Sequence, residues 1–312
     1  MPLALITGAS TGIGRATALR LAASGWTVLA GVRDAAAGER LAEEAGAGPA
    51  TAGQGPAVGS MSGPRGAGGV RPLILDVTDA EQIARAADRV REAADRVREV
   101  AGEMEQPSHA GLDALVNNAG INVGGPLELI PMAELRRQLE VNVLGQIAVT
   151  QVLLPALRVA RGRIVLVSSI GGRVAIPFTA PYAASKHAIE AIGDALRVEL
   201  RSSHVQVALV EPGSVATPIW DKSRAEAQRL SVPPGLQAQY GDVPAAMGKV
   251  MEDTARRGIA PEQVAQTIER ALTVRRMKAR YLVGRDAKGM LLARRLLPDR
   301  VFDSVIRRAL GV

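Results

Sequence analysis

Leu3-Ala4-Leu5-Ile6-Thr7-Gly8-Ala9-Ser10-Thr11-Gly12-Ile13-Gly14-Arg15 is the stretch that decides the fold. A short apolar run of strand length passes straight into a G-x-x-x-G-x-G loop, and the loop opens a segment of helical period. Glycines in such a loop let backbone N–H groups approach an anion, and the helix behind them turns its positive end toward it. Strand, loop and helix in that order begin a dinucleotide-binding βαβ unit. Spacing alone says little in a chain of 312 residues with 33 Gly, so the flanking strand and helix give the motif its weight.

The same alternation continues outward along the chain. Strand-length apolar stretches fall at Leu3–Thr7, Trp26–Val32, Val70–Leu75, Ala114–Asn117, Arg163–Ser168, Val205–Val210 and Ala279–Val283. Segments of helical period lie between them, at Gly12–Ser24, Asp34–Ala45, Asp79–Gly102, Pro131–Val159, Pro181–Arg201 and Pro261–Val274. This predicts an α/β fold: a doubly wound, Rossmann-type, mostly parallel seven-stranded sheet with helices on both faces. Residues 1–312 read as a single domain of this kind with additions. Residues 46–69, rich in Gly, Ala, Pro and Ser, read as a flexible insertion before the third strand. Ala86–Glu92 is repeated without change as Ala93–Glu99, which lengthens a helix by roughly 10 Å and rotates its faces by only about 20°.

Composition narrows the chemistry. Without Cys there is no disulfide framework, thiolate metal site or Cys nucleophile. His109, His187 and His204 stand far apart, so no metal site is expected. The N-terminus lacks the basic region and long apolar core of a signal peptide, and no run of 18 apolar residues is present, so a cytoplasmic protein is expected. The formal charge of +7 is uneven: residues 270–312 hold 12 Lys and Arg against three Asp, whereas residues 1–269 hold 26 against 28 acids. With only seven aromatics to stack on bases, a nucleic-acid partner is not expected.

At the end of the second strand, where an NAD enzyme offers Asp or Glu to the ribose 2′-hydroxyl, this chain has Arg33. A cation suits a 2′-phosphate and favours NADP; adjacent Asp34 leaves NAD open, and a plain surface charge is the alternative for Arg33. The sharpest signal is Tyr182-Ala183-Ala184-Ser185-Lys186. Residues four apart share a helix face, so the Lys186 ammonium can stand near the Tyr182 hydroxyl and lower its pKa toward useful acid–base work. Thirteen residues upstream, Ser169 closes the strand Val165-Leu166-Val167-Ser168-Ser169.

Together with Thr7–Gly14, Asp76-Val77, Asn117-Asn118-Ala119-Gly120, Asn142 and Pro212-Gly213 followed by Thr217, these residues resemble the short-chain dehydrogenase/reductase family from about Leu3 to Thr217. The resemblance implies an NAD(P)-dependent oxidoreductase that interconverts a secondary alcohol and a ketone or aldehyde by hydride transfer. Tyr182 would move the proton on the substrate oxygen and Ser169 would hydrogen-bond the same oxygen, so both would touch substrate. Lys186 would lower the Tyr182 pKa and, with Tyr182, meet the nicotinamide ribose. Asn142 would support a proton-relaying water; a buried Asn satisfied by backbone is its alternative. Gly8, Ser10, Gly12, Ile13 and Gly14 would cradle the pyrophosphate, and Asn118, Ala119 and Gly120 would line the adenosine side. Asp76 would meet the adenine amino group beside Val77, unless it caps the next helix. Pro212, Gly213 and Val215 would turn the chain beneath the nicotinamide, letting Thr217 reach the carboxamide.

Residues 214–260 stand where this family places its substrate loop. Pro218, Ile219, Trp220, Leu230, Val232, Leu236, Tyr240, Val243, Met247 and Met251 would give an apolar lining suited to a lipophilic alcohol or carbonyl. With the Ile176-Pro177-Phe178 turn they are more similar to the hydroxysteroid and retinol dehydrogenase branches than to 3-oxoacyl-carrier-protein reductases. That reductase activity, and nucleotide sensing without turnover, are the alternative functions. Residues 285–312 form a basic amphipathic extension, favoured as a lid or oligomer contact over a peripheral membrane contact. The apolar helices at Pro131–Val159 and Pro181–Arg201 resemble the family's subunit-contact helices and predict a homodimer or homotetramer.

Overall fold

The computed structural model describes residues 1–46, 68–101, 111–227 and 232–310. Its strands are β1 (Leu3–Ile6), β2 (Thr27–Val32), β3 (Gly69–Ile74), β4 (Ala114–Asn117), β5 (Arg163–Val167), β6 (Gln206–Pro212) and β7 (Arg280–Val283), each on its expected stretch. They stand in the order β3-β2-β1-β4-β5-β6-β7, and every neighbouring pair is parallel. The helices are α1 (Gly12–Ala23), α2 (Ala35–Glu44), α3 (Ala80–Ala101), α4 (Met132–Leu139), α5 (Gly145–Ala160), α6 (Ala180–Glu199), α7 (Ile219–Ala227), α8 (Gln237–Tyr240), α9 (Val243–Arg257), α10 (Pro261–Thr273), α11 (Arg285–Leu296) and α12 (Asp299–Leu310).

Side chains alternate across a strand, and both faces of this sheet are covered. Leu3 and Leu5 join Ile83 and Val90 of α3, Leu153 and Leu157 of α5 and Ile189 of α6. Ala4 and Ile6 join Leu21 of α1, Leu41 of α2 and Ile268 of α10. The duplicated heptad continues α3 without a break: Ala86 and Val90 of the first copy and Ala93 and Ala94 of the second are all buried.

Four expectations need amendment. The helix expected at Pro131–Val159 is divided by one wide π-helical turn, Glu140–Leu144, which seats Asn142. The combined helix Met132–Ala160 is long and apolar enough by length and composition to cross a membrane, but Val149, Leu153 and Leu157 bury its inner face in the core. Residues 47–67 of the Gly-rich segment lie outside the described residues, while Gly69 already belongs to β3. Residues 214–260, expected as a loop, are mostly helical in α7, α8 and α9. The basic extension forms two helices, α11 and α12, parted at Pro298.

Candidate active site

Strand order reverses between β1 and β4, and a cleft of about 960 Å³ opens beyond the carboxyl ends of the strands. Gly8 (φ +65) and Gly12 (φ +57) carry the loop through left-handed backbone. A Cβ on Gly14 would stand 2.3 Å from the Gly8 carbonyl oxygen and 2.5 Å from Asn118 Nδ2. The loop is fastened to the end of β4: Asn118 Nδ2 donates to the carbonyls of Thr7 (3.0 Å) and Gly8 (3.1 Å), while Thr7 Oγ1 accepts from the Asn118 and Ala119 N–H groups. Thr11 precedes α1 without a side-chain cap bond, and the first turn holds no acid, so the opening N–H groups are left for an anionic ligand. This cradle fits a dinucleotide pyrophosphate. Gly8, Ser10, Gly12, Ile13, Asn118, Ala119 and Gly120 line the cleft, and Gly14 stands behind it. Gly120 differs from the loop glycines, because a Cβ there meets Asn142 Oδ1 only at 3.4 Å.

At the adenosine end, Arg33 is exposed and lines the cleft. Asp34 is turned away, its Oδ1 accepting the Ala36 N–H at the start of α2. Asp76 and Val77 also line the cleft. Asp76 is not the helix cap: its Oδ1 accepts from the N–H and hydroxyl of Thr78, while Asp79 accepts the Gln82 N–H.

Ser169, Tyr182 and Lys186 converge on the opposite wall. Ser169 Oγ accepts the Gly171 N–H at 3.0 Å. Lys186 is 5% exposed; its Nζ donates to the Val167 carbonyl at 2.8 Å and stands 5.8 Å from the Tyr182 ring centroid. Burial pushes the Tyr182 hydroxyl above its ordinary pKa, with a hydrogen bond to Ser169 pulling the other way. The expected lowering by Lys186 is thereby corrected: in this geometry loss of water around the phenol decides the direction. Burial also lowers Lys186 to about 8, against the opposing charge of Glu190.

Asn142 does not line the cleft. Fully buried, its Oδ1 accepts the Ile121 N–H at 2.8 Å and its Nδ2 donates to the Ile121 carbonyl and to Ser185 Oγ. These bonds match its plainer alternative and make it a clamp between the end of β4 and α6. Gln138, not singled out in the sequence, bonds Val123, Ile121 and Ser185 in the same way. Its spacing of four residues from Asn142, which places both on one helix face, was the available signal.

Pro212, Gly213, Val215 and Thr217 all line the nicotinamide end. Ser214 N–H donates to Asp286 Oδ2 at 2.7 Å, and a Cβ on Gly213 would fall 2.4 Å from both Asp286 oxygens. Asp286, Ala287 and Met290 bring α11 to the cleft wall, a contribution sequence reasoning missed. The far chamber has a largely apolar wall, with Arg137, Glu140, Lys222 and Glu226 also on the cleft lining. Of the residues expected there, Pro218, Ile219, Trp220, Met247 and Met251 line it, together with the Ile176-Pro177-Phe178 turn. Leu230 lies outside the described residues, and Val232, Leu236, Tyr240 and Val243 stand off the wall.

A family model described as short chain dehydrogenase matches residues 2–55 and 65–228. The chain belongs to this family of oxidoreductases. It is 31% identical over 315 residues to an NADPH-dependent 3-dehydrocapnine reductase of Ornithobacterium rhinotracheale, covering 99% of this chain and 98% of that one. It is 34% identical over 309 residues to retinol dehydrogenase 5 of Mus musculus, covering 96% and 86%. Among solved structures, a short chain dehydrogenase from Burkholderia cenocepacia in complex with NADP superposes with a TM-score of 0.64 at 26% identity, covering 100% of this chain and 98% of that one. A relative from Burkholderia phymatum in complex with NAD gives 0.70 at 25%, covering 94% and 92%.

Proposed function

We propose that this protein is an NADP-preferring oxidoreductase that interconverts a secondary alcohol and a carbonyl on a lipophilic small molecule. The observation that carries the reading is the convergence of Ser169, Tyr182 and Lys186 where the glycine cradle meets the apolar chamber. A nicotinamide dinucleotide, when bound, supplies or accepts the hydride. Ser169 Oγ accepts from Gly171 and is hydrogen-bonded to Tyr182, so its O–H turns from the phenol to a carbonyl oxygen when substrate enters between them. Tyr182, kept protonated at neutral pH by burial, donates the second hydrogen bond and then the proton. The Lys186 ammonium steadies the phenolate that is left. Val174, Phe178, Trp220 and Met251 exclude water and fit an apolar substrate body. NADPH absorbance followed across a panel of ketones, aldehydes and lipophilic alcohols tests the reading. Tight cofactor binding with no turnover on any of them would overturn it in favour of nucleotide sensing.

Arg33 supports the cofactor preference: it faces the cleft with no ion pair among the described residues, while Asp34 is held on α2. Replacing Arg33 with Ala is expected to weaken NADPH binding about 10- to 100-fold, the loss of one or two charge-assisted hydrogen bonds, and to leave NADH nearly unchanged. Fluorescence titration of both cofactors reads this, and equal losses for the two would refute a 2′-phosphate contact.

Small-molecule action in the cytoplasm as a homodimer or homotetramer completes the proposal. Leu139 of α4, Leu144 of the wide turn, and Val152 and Val159 of α5 are exposed, apolar surface of the kind that subunit contacts cover. Sedimentation is expected to give a mass of two or four chains, and a monomer at micromolar concentration would contradict it. The approach of α11 to the cleft supports the lid reading of the basic extension.

A further inference from the structure

Behind Lys186 lies a cluster of buried charge to which the proposed chemistry gives no role. Glu190, one helical turn beyond Lys186 on α6, is 5% exposed, and Glu211 of β6 is 1% exposed. Neither lines the cleft. Arg280 of β7 bridges them, its Nε 3.0 Å from Glu190 Oε2 and 3.1 Å from Glu211 Oε1. Its Nη2 reaches Asp194 at 2.6 Å, and Asp194 is also paired with Arg197 at 2.7 Å, both on α6. From the turn after β5, Arg173 reaches Glu211 Oε1 at 3.1 Å. Glu190 Oε1 is buried without a hydrogen-bond partner.

We propose that Glu190 is a positioning residue for Lys186: a buried carboxylate one helical turn away on α6, fixed against Glu211 by their shared Arg280, whose charge supports the Lys186 ammonium from behind the cleft. The proposal rests on the reading that Lys186 serves the Tyr182 proton. Lys186 needs such support, because its Nζ donates to a neutral carbonyl, that of Val167, while burial removes the water that would otherwise stabilise the charge. Glu190 is the carboxylate whose charge opposes that loss.

The orphaned Glu190 oxygen gives the pair a second property. A carboxylate oxygen can only accept, so two carboxylates in contact are satisfied when one carries a proton. Burial and the like charge of Glu190 raise Glu211 to about 6, with Arg173 opposing. A folded-state value above the ordinary 4.5 means that the folded chain holds this proton more tightly than the unfolded one. The associated stability is therefore complete below pH 4.5 and is lost as pH rises through about 6. Above that point Glu211 is charged and accepts from Arg173 and Arg280 without a proton of its own.

The chain has five lysines, so 13C labelling at lysine Cε resolves the Lys186 titration without any turnover. In Glu190→Gln the Lys186 midpoint is expected to fall by about one pH unit, and Glu190→Asp, which keeps the charge, is expected to return it toward the wild-type value. Glu211→Gln preserves the shape of the side chain; it moves the same midpoint less, and it flattens the fall in thermal midpoint between pH 5 and 7. A Lys186 midpoint unmoved in Glu190→Gln would overturn the proposal. Should that variant not fold, an unmoved midpoint together with an unchanged thermal profile in Glu211→Gln would do the same. The high-pH limb of the pH–rate profile separates the two readings: if it stays fixed while the NMR midpoint moves, Glu190 holds Lys186 as proposed, and the role of Lys186 in turnover is what fails.

Discussion

Tyr182→Phe lowers turnover of any carbonyl that the wild-type protein reduces by about 10²- to 10⁴-fold, the usual worth of a positioned acid, while NADPH binds much as before. The change removes one oxygen and keeps the ring. Gly171, whose added Cβ would stand 3.1 Å from Tyr182 Cε1, still meets the same aromatic edge, and the Lys186 ammonium still faces the ring. The glycine cradle and the α1 N-terminus lie on other elements and are untouched. Loss of rate with retained binding is therefore specific to the proton. Stopped-flow reduction beside equilibrium titration of NADPH separates the two, and a variant keeping more than about a tenth of the rate removes Tyr182 from the chemistry. The pH dependence has a direction as well. Reduction needs the protonated phenol, which burial favours through neutral pH, whereas oxidation needs the phenolate and rises as pH increases. Above about 8 Lys186 gives up its charge, and the phenolate loses its cation.

Much of this site was legible in the sequence because its residues are local. Gly8, Gly12 and Gly14 fall within seven residues between a strand and a helix, and Tyr182 and Lys186 share one helix face. Short apolar runs located all seven strands: burial on both faces demands them in the five inner strands, and the half-buried edges β3 and β7 keep enough apolar residues to be read. What the sequence hid depends on neighbours far along the chain. The direction of the Tyr182 shift reflects how much water the walls exclude, which no spacing encodes. Asp286 reaches the Ser214 N–H across 72 residues, and only the packing of α11 brings it there. The wide turn at Glu140–Leu144 follows from tertiary fit: a Cβ on Gly145 would stand 2.5 Å from the Val77 carbonyl oxygen, so the helix passes that strand end at close range. Arg33 and Asp34 look equivalent as adjacent charges, and they separate only because Asp34 is engaged by the first turn of α2.

Gly14→Ala is expected to weaken NADPH and NADH binding alike, by about 100-fold or more. Alanine suits a helix better than glycine, so propensity alone favours the change by up to about 1 kcal/mol. Space opposes it. The new methyl would lie 2.3 Å from the Gly8 carbonyl oxygen and 2.5 Å from Asn118 Nδ2, and one of these is backbone that cannot swing aside. Either the loop retreats from α1 or Asn118 releases the Thr7 and Gly8 carbonyls, and both movements pull the cradle N–H groups off the pyrophosphate. Losing two charge-assisted hydrogen bonds, each worth roughly 1.5–3 kcal/mol, corresponds to at least about 10² in affinity. Overpacking lowers stability by a further 1–3 kcal/mol or so, which thermal unfolding without cofactor reads separately. Gly289→Ala is the matching control: it lies in α11 with nothing within 4 Å of its added Cβ, so it is expected to raise stability slightly and leave cofactor binding alone. Normal NADPH affinity in a folded Gly14→Ala protein would mean that this loop does not hold the pyrophosphate, and the dinucleotide reading of the first βαβ unit would fall with it.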